Sequence, residues 1–214
     1  MANSANVEGM SRYGISSKNT LGVSVPVLRK MAKEIGRNHT LAQRLWSSGI
    51  HEARLLAGFI DEPVKVTQEQ MEAWAADFES WDVCDQVCSN LFDKTSFAYV
   101  KAEEWSSRQE EFVKRAGFVL MAALAVHDKK APDEKLTVFL PLILRESTDE
   151  RNFVRKAVNW ALRQIGKRNS NLHTEALKTA NKILGLDSKS ARWIASDAIR
   201  ELQNKHFKAK TAKK

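Results

Sequence analysis

Apolar residues recur at helical spacing along almost the whole chain, in segments of about 9–18 residues separated by helix-start signals. Thr67 to Gln70 and Ser107 to Glu110 both have a hydroxyl residue followed three positions later by Gln or Glu, the spacing of a capping box. With only 9 Gly and 4 Pro, the chain lacks the closely spaced turns that sheet-rich folds need. The pattern therefore predicts an all-α protein of about ten to twelve helices.

A weak repeat runs through these helices. A basic residue followed by small and apolar residues occurs at Arg54, Arg115, Lys156 and Arg192, and the helix centred on Asp85 fills the first gap, giving steps of 31, 30, 41 and 36 residues. HEAT and armadillo helical hairpins have periods in or slightly above this range, and such hairpins bury their apolar faces by stacking. We expect HEAT/ARM-like hairpins stacked into a curved right-handed superhelix with a concave basic groove. The alternative is an irregular helical bundle.

The composition is that of an ordinary globular protein, since 43% of the residues are hydrophobic and 28% are charged. No segment reads as an interdomain linker, so we expect a single domain over residues 1–204 and a basic, disordered tail over residues 205–214. No apolar run approaches the roughly 18–20 residues needed to span a bilayer, and we expect no membrane partner. Cys84 and Cys88 lie four residues apart, on one face of a helix, which predicts core or half-buried thiols in a reducing, cytoplasmic compartment.

Positive charge is concentrated in the last third of the chain. Residues 149–214 contain 16 Lys and Arg against 6 Asp and Glu, whereas the whole chain has a net charge of +8. Such a bias favours a polyanion partner, because basic side chains that neutralise phosphates release counterions. The lysines of residues 205–214 also fit a solubilising tail. The arginines within predicted helices are therefore the better candidates for contacts with such a partner, and the first choices are Arg155, Arg163 and Arg168.

The sequence has no motif of the common hydrolases. It lacks a Gly-rich phosphate loop, a nucleophile elbow and a metalloprotease motif, and its five histidines are scattered, so we expect neither a metal nor a cofactor. Six tryptophans favour an aromatic-lined groove. Trp81 and Asp85 share a helix face, Trp160 lies within a helix, and Arg115 opens an apolar one. The alternative for each is structural, with the indoles in the core and the aspartate as a helix cap.

Three motifs carry a resemblance to a known family. SWDVCDQV (80–87), KRAGFVLMAAL (114–124) and RKAVNWALRQIGKR (155–168) follow MSRYGI (10–15) and LGVSVPVLRK (21–30) in this order. The chain thus resembles the AlkD-like DNA alkylation repair glycosylases, which are built from HEAT-like repeats, over nearly its whole length. The family has both active glycosylases and relatives without detectable activity.

The resemblance implies a set of site residues. Family members use an aspartate and two tryptophans at the lesion, with an arginine and an N-terminal tyrosine close by. By motif, the aspartate is Asp85, the tryptophans are Trp81 and Trp160, the arginine is Arg115 and the tyrosine is Tyr13. Asp85, Trp81 and Trp160 are then the catalytic candidates, and Arg115 and Tyr13 are predicted to contact DNA.

The expected activity is hydrolysis of the N-glycosidic bond of cationic N3- and N7-alkylpurines by a monofunctional glycosylase acting on double-stranded DNA. The resemblance also implies that the lesion is held from the backbone side, without a base-recognition pocket. We expect a monomer in the bacterial cytoplasm, associated with the nucleoid. Two alternatives stay open: a non-enzymatic HEAT-like module that binds bent, branched or damaged DNA, and a protein-binding scaffold.

Overall fold

The structure, a computed structural model, describes residues 3–204, and this part of the chain is mainly helical. It contains thirteen α-helices, two short 3₁₀ turns and no strand within those residues. The predicted all-α class is confirmed. The helices outnumber the ten to twelve expected, and one of them, Asp133–Thr137, has only five residues, too few to show an apolar period. The predicted tail at residues 205–214 lies outside the described residues.

The described chain forms two compact units, which meet in sequence between Leu120 and Met121. The single domain expected over residues 1–204 stays a prediction, as do the superhelical curvature and the concave groove. The helices of the first unit are α1 (Ser4–Ser11), α2 (Val25–Ile35), α3 (His39–Ser47), α4 (His51–Ile60), α5 (Gln68–Ala76), α6 (Trp81–Asn90), α7 (Ala98–Ser106) and the first part of α8 (Glu111–His127).

Aromatic side chains build the core of the first unit. Trp46 of α3 and Trp74 of α5 stack with their ring centroids 4.0 Å apart, and Phe78 packs edge-on against Trp46. Phe92 joins this cluster to Trp105 of α7. Burying side chains of this size stabilises a fold by several kcal/mol each, at roughly 25 cal/mol per Å². Trp46, Trp74 and Trp105 therefore belong to the core.

The later helices of successive pairs pack side by side in the first unit. Helix α4 packs against both α2 and α6. Helix α6 approaches α8 through two buried thiols, since the Sγ atoms of Cys84 and Cys88 lie 3.6 and 3.9 Å from the carbonyl oxygens of Phe112 and Ala116. The predicted burial of both cysteines is confirmed.

The second unit continues α8 and is built largely from three fifteen-residue helices. Helices α11, α12 and α13 pack against each other in all three combinations. Their apolar faces are fully buried, as at Leu162, Ile183 and Ile194. The remaining helices of this unit are α9 (Asp133–Thr137), α10 (Phe139–Glu146), α11 (Asn152–Gly166), α12 (Ser170–Leu184) and α13 (Lys189–Gln203).

The repeat read from the sequence corresponds to helix order. Arg54, Asp85, Arg115, Lys156 and Arg192 lie on α4, α6, α8, α11 and α13, each the later helix of a consecutive pair. No described helix is long and apolar enough to cross a bilayer.

One capping prediction holds and one is wrong. Thr67 begins α5, and its side chain accepts a hydrogen bond from the backbone N–H of Gln70. Ser107 does not begin α8. It ends α7 in a helical conformation, and its hydroxyl donates to the Glu104 carbonyl. An N-cap needs extended backbone, which Ser107 lacks.

Candidate active site

A buried ion pair joins α6 to α8 at the centre of the candidate site. Nε of Arg115 donates to Oδ1 of Asp85 and Nη2 donates to Oδ2, both at 2.8 Å, so the pair is bidentate. The Asp85 side chain is 14% exposed and that of Arg115 is 7% exposed. Two donors in a fixed fork orient a carboxylate more strictly than one contact does. The structure thus brings together two of the predicted site residues.

The two members of this pair shift each other's pKa. Burial raises the pKa of Asp85 above its usual value, the charge and hydrogen bonds of Arg115 oppose that rise, and the nearby Asp82 adds to it. Burial acts to lower the pKa of Arg115, but the Asp85 carboxylate outweighs it, so that the pKa of Arg115 rises. Asp85 is therefore a poorly hydrated carboxylate whose charge depends on Arg115.

Trp81 begins α6 and contacts the N-terminal segment. Its indole Nε1 donates to the backbone carbonyl of Tyr13 at 3.0 Å. Trp81 is half-buried, whereas Tyr13 is 73% exposed. Both line an open, largely apolar groove of about 490 Å³ between α1, the segment that follows it and α6. Asp85 lies one helical turn after Trp81, so Tyr13, Trp81, Asp85 and Arg115 are gathered in the first unit.

The wall of this groove is held by a buried carboxylate that the sequence reading missed. Glu52 of α4 is 2% exposed and accepts hydrogen bonds from the backbone N–H groups of Leu21, Gly22 and Val23. Glu52 lies three residues before Leu55, which places an acidic residue on an apolar helix face. This position is the feature of the sequence that could have indicated a buried carboxylate.

Gly22 allows close approach of the N-terminal segment to this wall. Its φ is +75°, and a Cβ there would lie 2.2 Å from the backbone oxygen of Asn3. The Asn6 side chain also donates to the Gly22 carbonyl. Glycine is the residue that fits such a backbone without strain.

A second acidic side chain near the site, that of Asp82, is hydrogen-bonded to helix α4. The Asp82 carboxylate accepts a hydrogen bond from Nε2 of His51 at 2.9 Å, across the α4–α6 contact. Burial acts to raise the pKa of Asp82, but its hydrogen bond to His51 lowers it overall. Asp82 thus ties α6 to α4, and Asp85 is the carboxylate beside Trp81.

The remaining predicted residues lie in the second unit. Trp160 is half-buried on α11. Arg155 of the same helix stacks over the ring of Trp193, with its Cζ atom 5.1 Å from the ring centroid, and donates to the side-chain oxygen of Asn152. Arg155 carries no ion pair with a carboxylate among the described residues, which suits a contact with an external anion.

Arg163 and Arg168 are engaged within the protein. Arg163 is paired with Asp197 and Glu201 of α13, and Glu201 also binds Lys167. Arg168 donates to the backbone carbonyls of Ala125, Asp128 and Ala131 near the end of α8. Their contacts with DNA remain predictions, because each arginine would have to give up its partners within the protein to bind a phosphate.

Fewer tryptophans are available to line an aromatic groove than the six in the sequence suggested. Three of the indoles are in the core, Trp193 carries Arg155, and only Trp81 and Trp160 are half-buried candidates. Within residues 3–204, no group of three or more His, Cys, Asp or Glu side chains is arranged to hold a metal ion.

A comparison of the whole sequence with known protein families identifies the family of this chain. The profile of the family described as "DNA alkylation repair enzyme" matches residues 1–202. The chain belongs to the DNA alkylation repair enzyme family. The match spans both units, and it includes every residue of the candidate site.

Relatives and a solved structure agree with this placement. The chain is 24% identical to an uncharacterized protein of Listeria innocua and 23% identical to one of Listeria monocytogenes, in each case over 165 residues, 76% of this chain and 71% of the relative. A solved structure described as a new family of proteins related to the HEAT-like repeat DNA glycosylases, with affinity for branched DNA structures, superposes with a TM-score of 0.76. That likeness has 19% identity and covers 93% of this chain and 89% of the other. It shows the fold, which is HEAT-like.

Proposed function

We propose that this member of the DNA alkylation repair enzyme family is a monofunctional DNA glycosylase that releases cationic N3- and N7-alkylpurines from duplex DNA. The observation that carries the proposal is the buried Asp85 carboxylate, held at both oxygens by Arg115 and placed one turn from Trp81. The arrangement offers a fixed negative charge close to an aromatic side chain. A positively charged base leaves without the help of a general acid, so the main requirement is stabilisation of the positive charge that develops on the sugar.

The reaction breaks the bond between C1′ of the deoxyribose and the purine nitrogen. The electron pair of that bond moves to the purine, which neutralises the positive charge of the alkylated base, and C1′ gains oxocarbenium character. Water then bonds to C1′ and loses a proton to Asp85 or to solvent. A preorganised carboxylate stabilises the developing cation and orients this water. Poor hydration of Asp85 strengthens both effects, because its charge is weakly screened.

The aromatic residues assist at the sugar. An indole face near the oxocarbenium centre stabilises it by about 0.5–2 kcal/mol. Trp81 is held by its hydrogen bond to the Tyr13 carbonyl and lines the groove, and we assign it as the indole beside the sugar. Trp160 is proposed as the second indole, on the resemblance of its motif.

Arg115 has two tasks in this proposal. It fixes the carboxylate in the free protein, and it is the candidate partner for a phosphate next to the lesion. A phosphate would share the guanidinium with Asp85, so binding of DNA would loosen the ion pair and free the Asp85 oxygens to face the sugar, while the nearby Arg115 keeps the carboxylate ionised.

The test is release of 7-methylguanine from methylated duplex DNA by the wild type and by Asp85→Asn. Under single-turnover conditions, Asp85→Asn should slow excision by about 100-fold or more, because the lost charge acts in the transition state. Duplex binding should change little. The matched control is Asp77→Asn, which alters the Asp77–Arg54 ion pair in the same unit. Excision by Asp85→Asn within about threefold of wild type would refute the mechanism.

A second candidate function is a non-enzymatic module that binds branched DNA. The observation that favours it is the structural likeness to the protein described as having affinity for branched DNA structures. In that case the wild type would bind a junction more tightly than a linear duplex and would release no base from methylated DNA.

A further inference from the structure

A basic cleft lies at the opposite end of α6 from Trp81. It has a volume of about 310 Å³ and is formed by the C-terminal ends of α2, α4 and α6 with the 3₁₀ turn Phe92–Lys94. Four cationic side chains line it, together with apolar and neutral polar residues. They are Arg29, Lys33, Arg37 and Lys94.

Arg29 is held in place by neutral groups. Its Nη2 donates to Oε1 of Gln86 at 2.9 Å and its Nη1 to Oδ1 of Asn90 at 3.3 Å. The guanidinium also lies over the ring of Phe59, with Cζ 4.6 Å from the centroid. Amide oxygens and a ring face orient the group without cancelling its charge, which leaves it suited to an external anion.

Two more cations are anchored to helix ends. Lys94 donates to the backbone carbonyl of Asn90 at 2.7 Å, and Nη1 of Arg37 donates to the carbonyls of Phe59 and Asp61. The C-terminus of a helix carries roughly −0.5 of a charge, so three helix ends offset about −1.5 against four positive charges. The partial negative charges of the helix ends stabilise the clustered cations in part, and an excess of positive charge remains in the cleft.

The four cations of the cleft lie close together without a carboxylate partner, unlike several other cations of the first unit. Arg54, Lys101, Arg108 and Arg115 all form ion pairs with carboxylates. None of the four cations of the cleft forms one with a described residue, and no carboxylate lines it. The positive charges of such a cluster repel one another, and a bound anion would reduce this repulsion.

We propose that this cleft binds the phosphodiester backbone of DNA, as a contact separate from Asp85. The choice of DNA as the polyanion rests on the proposed function. Asn90 lies five residues after Asp85 on α6, about 7.5 Å along the helix axis. The two side chains point about 140° apart around the helix and are both half-buried, on either side of the accessible face of α6, so a DNA strand that crosses this face can contact both.

The experiment compares two double variants with equal charge loss in the full-length chain. Arg29→Gln with Lys33→Gln removes two cations of the cleft. Lys30→Gln with Arg44→Gln removes one lysine and one arginine from exposed positions of α2 and α3 outside it. Binding of an undamaged linear duplex is measured by fluorescence anisotropy between about 50 and 200 mM salt. Thermal melting confirms that each variant is folded.

The cleft variant should bind about tenfold more weakly at low salt, and the slope of log K against log salt should become shallower by about 1.8, or 0.9 for each lost phosphate contact. The control variant should bind within about twofold of wild type. Equal losses in both variants, or none in either, would overturn the proposal. So would binding of inorganic phosphate that is lost in the cleft variant while its DNA affinity is unchanged. Release of 7-methylguanine is not the readout, so failure of the proposed enzyme activity would be seen separately.

Discussion

At the scale of single residues, the Asp85–Arg115 pair sets the electrostatics of the candidate site. Burial raises the pKa of Asp85, and Arg115 is the main group that opposes this rise. In the proposed mechanism the catalytic form is the ionised carboxylate, so excision should be lost as the pH falls through the pKa of Asp85. A change in Arg115 should therefore be visible in the pH profile of excision.

Arg115→Gln should move the acid limb of the excision rate to higher pH, because the opposing positive charge is removed and the pKa of Asp85 rises further. Arg115→Lys keeps a charge and should leave the limb close to its wild-type position. Single-turnover rates across the acid range, with melting curves for each variant, measure this. An unchanged limb in Arg115→Gln would mean that Asp85 does not titrate in the reaction.

Trp81→Ala tests the assignment of an indole to the groove. If the ring faces the sugar cation, excision should slow by about 2- to 30-fold, which is the equivalent of 0.5–2 kcal/mol, while binding to undamaged duplex is retained. The control is Trp74→Ala, which removes a buried, stacked indole and should cost about 3–5 kcal/mol of stability. A similar stability loss in Trp81→Ala, with normal activity per folded molecule, would place Trp81 in the core.

At the scale of helices and their connections, the N-terminal segment is the part that positions one wall of the site. Gly22 brings this segment against Asn3, and Glu52 holds its backbone. The first feature packs α1 against the backbone at Gly22, and the second connects that backbone to α4. The loss of either should disturb the contact between Tyr13 and Trp81 before it disturbs the core.

Gly22→Ala should detach α1, because its Cβ would collide with a backbone oxygen at 2.2 Å in addition to straining a φ of +75°. Gly49→Ala is the control, since Gly49 has a φ of +67° and only one neighbour, at 4.0 Å. Hydrogen exchange should rise over residues 3–15 in Gly22→Ala alone, and excision should fall with it. Equal exchange in the two variants would show that the strain, and not the close contact, is what matters.

Helix positions were largely predictable from the sequence, whereas several partners were not. Thr67 was found as a cap because capping is local, but Ser107 was misassigned because the same spacing also occurs at the end of a helix. Partners such as Asp85 with Arg115 and Arg163 with Glu201 are 30 and 38 residues apart. The first separation equals the repeat step from Asp85 to Arg115 and the second is two residues longer than the 36-residue step, so the period indicates which helices meet between successive repeats, but not which side chains pair.

At the scale of the whole molecule, the basic last third predicted a polyanion partner, but net charge does not report which cations are already paired. Among the described residues, Arg151, Arg163, Lys167, Arg192 and Arg200 all have carboxylate partners. The pairs of Arg151, Arg192 and Arg200 are local, with carboxylates no more than five residues away. Sequence alone could not distinguish Arg163 and Lys167 from Arg155, because their pairing arises from the packing of α11 against α13. The structure therefore reorders the candidates for contacts with DNA.

Arg155→Gln should reduce the slope of log K against log salt by about 1 for an undamaged duplex, since each lost phosphate contact removes about 0.9. Arg163→Gln removes the same charge from the same helix, but Arg163 is paired with Asp197 and Glu201, so its slope should stay near that of wild type while its melting temperature falls. Anisotropy titrations at several salt concentrations and melting curves measure both effects. The opposite result, a shallower slope in Arg163→Gln and none in Arg155→Gln, would mean that binding of DNA breaks the α11–α13 ion pairs, and Arg163 would return to the interface as the sequence first indicated.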